Sequence, residues 1–247
     1  MLLFRFLKDL AGAWGGSPAG ADALGGAYYV AVLDCIFQQL RPRTYVEIGV
    51  FQGRSLAMAK PPTLAIGIDP EPRLLQPAAE NQRIFAKTSD AFFAEHDLRA
   101  EFGGLPVDLA FIDGMHHFEF AMRDFANLER ACTRESTILL YDCYPRDRET
   151  ADRTRVQAFW SGDIWRLIVL LKRYRPDLEI HTIGTPPTGL GIVRNLNPDS
   201  RFLQENHDRL CEEFLALDYA YLGRRKAQKL NLVPNTPDRI RALLDLR

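Results

Sequence analysis

Acidic and imidazole side chains come together in one phrase of the sequence, FIDGMHHFE, and another acid follows a later apolar run. Asp113 and His116 are three residues apart, and Asp142 follows the run STILLY. Imidazole titrates near neutrality and accepts protons, while paired carboxylates orient a hydroxyl or bind a divalent cation. These residue types predict proton transfer from a weakly acidic group, with or without Mg²⁺ or Mn²⁺.

The neighbouring His117 is a competing candidate for the same role. Adjacent residues at the start of a helix point in different directions, so we expect only one histidine to face the cleft, and we favour His116. Either ring could instead be a helix-capping or surface imidazole. Glu119 lies close enough in sequence to point into the same cleft.

A second candidate site is the phrase EIGVFQG, which follows the apolar residues Tyr45 and Val46. Gly49 and Gly53 predict a tight turn from a buried strand into a helix beginning near Arg54. A GxGxxG turn brings a pyrophosphate to a helix N-terminus, where a carboxylate is unfavourable. Here Glu47 precedes the first glycine, so the turn favours a cationic ligand. Ser55, just after the turn, completes this candidate cofactor-binding set.

Asp69 ends the second apolar run, TLAIGID, 20 residues after Gly49. An acid at this place hydrogen-bonds ribose hydroxyls in nucleotide-binding α/β folds, although Asp-Pro also starts turns. Ser89 and Asp90 follow a weaker third strand and are candidates for the adenine pocket. Both are also good helix N-caps.

Strands alternate with helical patterns along most of the chain, which predicts an α/β fold with a largely parallel sheet. Asp163 is a candidate cap for a helix that leads into the strand LEIHTIG, and the turn TPPTG predicts a hairpin into LGIVRN. Because ligands bind outside the carboxyl ends of such strands, the acids that end strands share one edge.

Three phrases resemble a known superfamily. EIGVFQG resembles motif I of the class I S-adenosylmethionine-dependent methyltransferases. FIDGMHHFE is similar to the sugar and small-molecule O-methyltransferases, including macrocin O-methyltransferase-like proteins. YDCYP, GDIW, RPDLEI and TGLGIVRN resemble members found with glycan-biosynthesis functions. The likeness covers roughly Tyr28 to Asn195. It implies a Rossmann-like, seven-stranded, mostly parallel sheet with an antiparallel final hairpin strand and helices on both faces.

The resemblance also implies an activity, O-methylation of a small-molecule or sugar hydroxyl with S-adenosyl-L-methionine as donor. Asp113 becomes a metal or substrate ligand and His116 the general base. The implied cofactor contacts are Glu47 with Gly49 and Gly53 at the amino-acid end, Asp69 at the ribose, and Ser89 or Asp90 at the adenine, with Ser55 and Asp113 alongside.

The region around Asp142 departs from the metal-dependent relatives, which place another carboxylate beside this acid. Its neighbours here are Tyr141 and Cys143. Asp113 and Asp142 could therefore hold Mg²⁺ or Mn²⁺, or Asp142 could bind the substrate hydroxyl directly. Two other functions stay open, a cofactor-binding scaffold without catalysis and a Rossmann-type NAD(P)-dependent oxidoreductase, which the missing GxGxxG and the carboxylate of Glu47 disfavour.

We expect three regions: an N-terminal helix and linker or lid at 1–26, a methyltransferase domain at 27–195, and a helical extension at 196–247. The apolar N-terminus is interrupted by Arg5, Lys8 and Asp9, so it is too short to span a bilayer. It could pack on the protein or lie on a membrane surface, and packing is favoured. The terminal helices are candidates for a homodimer contact.

The composition is that of a globular cytoplasmic protein, with 47% hydrophobic and 26% charged residues and a formal net charge of -1 in 247 residues. This balance gives no electrostatic reason to expect nucleic-acid binding. The four cysteines form no C-x-x-C pair, which fits a reducing compartment and disfavours a zinc cluster.

Overall fold

A computed structural model describes residues 24–156 and 159–245 of the chain. The predicted N-terminal helix and most of the glycine-rich segment after it lie outside these residues. In the described part, no helix combines the length and the hydrophobicity needed to cross a membrane.

An eight-stranded sheet forms the centre of the protein, in the order β3-β2-β1-β4-β5-β7-β6-β8. Its strands are β1 Thr44–Ile48, β2 Leu64–Ile68, β3 Gln82–Phe85, β4 Val107–Ile112, β5 Cys132–Tyr141, β6 Glu179–Ile183, β7 Leu190–Arg194 and β8 Leu232–Val233. Among the strands of the described residues, only β7 runs antiparallel to its neighbours, β5 and β6. The predicted parallel sheet with an antiparallel hairpin strand is confirmed. The eighth strand comes from the C-terminal extension and pairs parallel with β6.

Helices cover both faces of the sheet, as predicted. They are α1 Tyr29–Leu40, α2 Ser89–Glu95, α3 Leu98–Glu101, α4 Phe118–Ala131, α5 Trp165–Tyr174, α6 Phe202–Glu205, α7 His207–Leu215, α8 Lys226–Lys229 and α9 Pro237–Leu244. On one face Ile36 of α1 and Ile240 of α9 belong to the same hydrophobic cluster. On the other face Phe125 of α4, Leu167 of α5 and Phe214 of α7 share a second cluster.

The register of the central strands brings the candidate site residues to one edge. Ile48 at the end of β1 pairs with Ile68 of β2 and with Ile112 of β4, so Gly49, Asp69 and Asp113 all follow at the same level. The strand order reverses between β1 and β4, and this point in an open α/β sheet forms the ligand crevice. All five residues of β1 are buried, as expected for a strand covered on both faces.

The prediction of a helix beginning near Arg54 is wrong. A single 3₁₀ turn, Leu56–Met58, follows the glycine turn instead. Pro61 and Pro62 come directly afterwards, and proline cannot continue a helix because it lacks the backbone donor and restricts the preceding residue. The loop therefore does not present the N-terminus of a long helix to a ligand.

Three local predictions about helix ends also need correction. His116 and His117 are not inside a helix, since α4 begins at Phe118 with His117 as its N-cap residue. Thr88, rather than Ser89 or Asp90, caps α2, and its hydroxyl accepts a hydrogen bond from the Ala91 amide. The N-cap residue of α5 is Ile164, without a side-chain hydrogen bond, because the carboxylate of Asp163 is used elsewhere.

Candidate functional site

The imidazole of His116 lies between two carboxylates at the crevice. Its Nε2 is 3.1 Å from Oδ1 of Asp113, and its Nδ1 is 2.8 Å from Oδ2 of Asp142. Asp113 and His116 lie in the loop after β4 and Asp142 follows β5, so the three side chains converge from two loops. Their ligand atoms lie within 4.8 Å of one another, close enough to hold one metal ion. We call Asp113, His116 and Asp142 the acid–imidazole cluster.

Unusual backbone conformations produce this arrangement. His116 has φ 57° and Asp142 has φ 60°, both in the left-handed region that residues with a Cβ rarely occupy. Gly49 has φ 88°, and a Cβ there would lie 1.9 Å from the carbonyl oxygen of Asp113. The glycine turn therefore packs directly on the loop that carries the cluster, and glycine is required at this position.

A loop far along the chain packs against the ring and the main chain of His116. The ring of Trp160 stacks on the imidazole at a centroid distance of 5.2 Å and an interplanar angle of 18°. A Cβ at Gly162 would lie 1.9 Å from the carbonyl oxygen of His116, and the amide of Asp163 donates to that same oxygen over 3.2 Å. Both the ring and the main chain of His116 are thus constrained.

Asp163 anchors this loop to the start of α4. Its Oδ1 accepts a hydrogen bond of 2.7 Å from the Phe118 amide, and its Oδ2 pairs with Arg153 at 2.7 Å and with Arg166. The side chain of Asp163 is fully buried. A buried carboxylate is tolerated only when its oxygens are paired in this way. Asp163 therefore supports His116 from the neighbouring loop.

The charges of the cluster are coupled. Burial raises the pKa of Asp113 to about 6, an effect that its hydrogen bond to His116 opposes. Burial by itself would lower the pKa of His116, but the carboxylates of Asp142 and Asp113 outweigh it and raise that pKa well above the usual 6.5. The two carboxylates therefore favour the protonated, cationic form of the imidazole. It becomes a proton acceptor only after losing its own proton.

His117 and Glu119 point away from the cluster. The Nε2 of His117 lies 3.0 Å from the carbonyl oxygen of Arg153, and the carboxylate of Glu119 forms an ion pair of 2.6 Å with the guanidinium of Arg153. Of the two histidines, His116 lies beside the carboxylates of the cluster, and both histidines precede α4.

Glu47 is fully buried beneath the glycine turn. Its two carboxylate oxygens accept hydrogen bonds of 2.7 Å from the Tyr45 hydroxyl and the Ser55 hydroxyl. Burial raises the pKa of Glu47 to about 8, and these two hydrogen bonds oppose the rise. The hydrogen bond from Ser55 thus links Glu47 to the segment just after the turn. The alternation of residues along a strand does not reveal this contact.

Asp69 connects the glycine turn to the end of β2 through hydrogen bonds. Its Oδ2 accepts from the amide of Phe51 over 2.7 Å, and its Oδ1 accepts from the amide of Glu71 over 2.7 Å. Phe51, at φ 43°, is 57% exposed. At Gly53 a Cβ would lie 2.7 Å from the Leu74 side chain, so this glycine accommodates a neighbouring loop. Asp69 organises the loop whether or not it also contacts a ribose.

Ser89 and Asp90 have partners on α4. Asp90 forms an ion pair of 2.7 Å with Arg123, which lowers the pKa of the carboxyl. Ser89 hydrogen-bonds to Asp124, a buried carboxyl whose Oδ1 has no partner among the described residues. Burial raises the pKa of Asp124 to about 7. Asp124 also lines a small cavity with Asp113, a polar position that the helical pattern of α4 does not reveal.

Two further residues of the site were not predicted from the sequence. The Thr188 hydroxyl donates to Oδ1 of Asp142 from the hairpin between β6 and β7. The ring of Tyr29 packs against that of Tyr141 in a tilted arrangement, with ring centroids 4.3 Å apart. Burial raises the pKa of Tyr29, and the nearby charges of Asp113, Glu47 and Asp142 add to the rise. Tyr29 belongs to an apolar helical stripe, so periodicity alone assigns it to the core.

Cys143 does not replace the carboxylate that metal-dependent relatives carry beside Asp142. Its thiol is fully buried and donates to the carbonyl oxygen of Leu140 over 3.2 Å. The Sγ atom also lies 2.8 Å from the position of a Cβ at Gly191 in β7. The thiol therefore faces the sheet, and the cluster consists of two carboxylates and one imidazole.

The strand order, the glycine turn at β1 and the acids after β2, β4 and β5 together define the Rossmann-like fold of the class I methyltransferases. Residues 46–143 match the family described as a methyltransferase domain. These residues contain most of β1 and all of β2 to β5, so the family match and the strand order agree. No curated protein matches its sequence.

Solved structures show the same fold. The O-methyltransferase TomG from Streptomyces achromogenes, involved in tomaymycin synthesis and in complex with S-adenosylmethionine, has 14% identity and a TM-score of 0.54, covering 78% of this chain and 96% of its own. Cofactor-bound Rv0187 from MTB has 14% identity and a TM-score of 0.52, covering 79% and 90%. The S-adenosylhomocysteine-bound Podospora anserina methyltransferase PaMTH1 has 10% identity and a TM-score of 0.53, covering 68% and 78%.

Proposed function

We propose that this protein is an S-adenosylmethionine-dependent O-methyltransferase that acts on a hydroxyl of a small molecule or sugar. The observation that carries the proposal is the acid–imidazole cluster, which lies against the glycine turn at the switch point of the sheet. Such a cluster can orient a hydroxyl and take its proton, and the adjacent turn is where the fold binds its nucleoside ligand.

The chemistry of the crevice suits a cationic ligand rather than a pyrophosphate. Acids follow β2, β4 and β5, and Glu47 is buried beneath the turn. A single 3₁₀ turn follows the loop, so a phosphate would not meet the N-terminus of a long helix. S-adenosylmethionine supplies an electrophilic methyl group, and its ammonium and sulfonium charges match the acids that follow β2, β4 and β5. The same features disfavour an NAD(P)-dependent oxidoreductase.

We assign roles to the cofactor-binding candidates accordingly. The turn from Gly49 to Gly53 receives the amino-acid end, with Glu47 acting through the Ser55 hydroxyl that it holds. Asp69 keeps the turn in place and binds the ribose, while Ser89 or Asp90 meets the adenine beside α4.

In the catalytic step the cluster positions the acceptor hydroxyl and removes its proton. Asp142, held by Thr188, orients the acceptor, and Asp113 shares this task. His116 takes the proton when its imidazole is neutral. Positioning matters most here, because methyl transfer is an in-line displacement that requires donor and acceptor about 3 Å apart.

The same three side chains could hold Mg²⁺ or Mn²⁺. Two carboxylates and one imidazole fit a divalent cation, which would supply charge stabilisation for the ionised hydroxyl. Because the imidazole must be neutral to act as a ligand, the cation competes with the proton on His116. The sequence at Cys143 gives no fourth protein ligand, so any such ion would rely on the acceptor or on water.

Calorimetric titration of the full-length protein with S-adenosylmethionine, S-adenosylhomocysteine and NAD tests the proposal. We expect the first two to bind and NAD not to bind, with weaker binding in Asp69→Asn. Exposed Asp199→Asn is the matched control, and thermal unfolding shows whether the Asp69 variant stays folded. Binding of NAD alone would refute a methyltransferase, and absence of all binding would favour a scaffold.

A further inference from the structure

Tyr29 of α1 packs on the sheet edge that carries the candidate site, and the proposed mechanism gives it no role. Its ring lies against that of Tyr141 at the end of β5, with ring planes inclined by 36°. Tyr141 also lines the small cavity that includes Asp113 and His116. Both tyrosines are partly exposed, unlike the fully buried residues of the core. The two rings therefore form part of the crevice wall.

The strand register places Tyr29 beside both halves of the site. Glu47 of β1 pairs with Phe111 of β4, and Asp113 follows Phe111 by two residues, so all three project from the same face of the sheet. The ring of Tyr141 lies 6.2 Å from that of Phe111. Tyr29 and Tyr141 both pack against the hydrophobic cluster that contains Phe111. Tyr29 thus covers the face from which Glu47 and Asp113 project.

Negative charge predominates around the Tyr29 hydroxyl. Burial raises the pKa of Tyr29, and the carboxylates of Asp113, Glu47 and Asp142 add to the rise, while the guanidinium of Arg54 opposes it. The hydroxyl therefore stays neutral. Glu47 belongs to the glycine turn, and Asp113 and Asp142 belong to the acid–imidazole cluster. Tyr29 accordingly lies near the carboxylates of both the cofactor turn and the cluster.

A methyl donor of this kind and its product differ in one charge. S-adenosylmethionine carries a sulfonium, whereas S-adenosylhomocysteine has a neutral thioether at the same atom. The face of an aromatic ring has a negative partial charge and attracts cations. An aromatic ring at this place therefore favours the charged donor over the neutral product, and an aliphatic side chain would not.

We infer that Tyr29 is a specificity-determining residue whose ring recognises the sulfonium of the methyl donor. The inference rests on the proposed function and adds a residue of α1 to cofactor recognition. In that function the turn receives the amino-acid end of the donor and the cluster positions the acceptor, so the transferred methyl group lies between them. Tyr29 is near the carboxylates of both, which places its ring beside the sulfonium. The ring binds the donor more tightly than the product, and this difference favours release of the product after transfer.

Calorimetric titration of the full-length protein with S-adenosylmethionine and with S-adenosylhomocysteine gives the ratio of the two dissociation constants. Tyr29→Leu should weaken donor binding by about threefold to thirtyfold, the range of cation–π contacts, and change product binding by less than about twofold. Tyr29→Phe keeps the ring and should bind both ligands like the wild type. Tyr28→Leu is the matched control, because Tyr28 is the adjacent N-cap residue and is 49% exposed.

Thermal unfolding shows whether Tyr29→Leu stays folded, and Tyr29→Met is a second variant without a ring. An unchanged ratio in these variants, an equal loss for donor and product, or the same selective loss in Tyr29→Phe or Tyr28→Leu would overturn the inference. The wild-type protein separates the two claims. If it binds both ligands but the ratio does not depend on Tyr29, only the role of Tyr29 fails. If it binds neither ligand, the methyltransferase proposal fails and the inference fails with it.

Discussion

The Nδ1 atom of His116 lies 2.8 Å from Oδ2 of Asp142, although the two residues belong to loops after different strands. With Asp113 at its other nitrogen, the imidazole has a carboxylate at each end. The pKa of His116 is therefore raised well above 6.5, with burial opposing the effect of the carboxylates. The carboxylates therefore favour the protonated form of the residue that we propose as the base, and we expect activity to depend on pH.

Replacing His116 by glutamine should reduce kcat for methyl transfer by roughly a hundredfold or more, because a positioned base typically contributes 10²–10⁴-fold. S-adenosylhomocysteine affinity should stay within a few-fold of the wild-type value. His117→Gln is the matched control, since the hydrogen bond of that ring goes to the Arg153 carbonyl rather than to a carboxylate of the cluster. In the wild type, kcat/KM should rise with pH as His116 loses its proton. A His116→Gln enzyme with full kcat would rule out the base assignment.

Mn²⁺ should bind the acid–imidazole cluster with release of a proton. Because Mn²⁺ requires a neutral imidazole, its affinity should increase with pH over the range in which His116 titrates. Calorimetry in two buffers of different ionisation enthalpy measures the number of protons released. Asp142→Asn should abolish the binding, whereas exposed Asp152→Asn should not. Binding that is independent of pH would place the ion elsewhere.

Asp163→Asn should destabilise the protein by about 3–5 kcal/mol, because it leaves buried Arg166 without its carboxylate. Urea unfolding measures this loss. The variant should also lower kcat where it is still folded, since the loop that supports His116 loses its anchor. Asp218→Asn removes an exposed ion pair with Arg148 and should change stability little. Equal stability of the two variants would contradict the role of Asp163.

Glu47→Gln should change how stability depends on pH. The pKa of this carboxyl is about 8 in the folded protein because burial raises it from 4.5. Its contribution is fully present below pH 4.5 and is lost as pH rises towards 8, because only the unfolded chain ionises in that window. Each pH unit there costs about 1.4 kcal/mol.

Glutamine does not titrate, so the variant should gain stability relative to the wild type between about pH 5 and about pH 8. Urea unfolding at both pH values measures the difference in free energy of unfolding between the variant and the wild type. Glu212→Gln changes an exposed carboxyl and is the control. Parallel pH curves for Glu47→Gln and the wild type would show that Glu47 is ionised in the folded protein.

Much of the fold was predictable because its signals are local. Buried strands appear as short apolar runs, glycine marks the turn after β1, and proline-bounded TPPTG marks the hairpin. The acids Asp69, Asp113 and Asp142 could be placed at one edge because parallel strands bring their carboxyl ends together. The prediction of a helix after Gly53 was wrong. Glycine turns of this kind often lead into a helix, but the two prolines that follow end it after a single turn.

The sequence by itself thus determined the sheet, its order of elements, and which acids and histidines are available at the crevice. Only the tertiary structure decided that His116 lies between Asp113 and Asp142, because this requires left-handed backbone at both His116 and Asp142. That conformation is uncommon for residues with a Cβ, and although histidine and aspartate adopt it more often than most, the local sequence does not predict it. Gly162 packs against His116 and Thr188 donates to Asp142, and both are distant from these residues in the chain. Such long-range contacts produce no periodic pattern in the sequence.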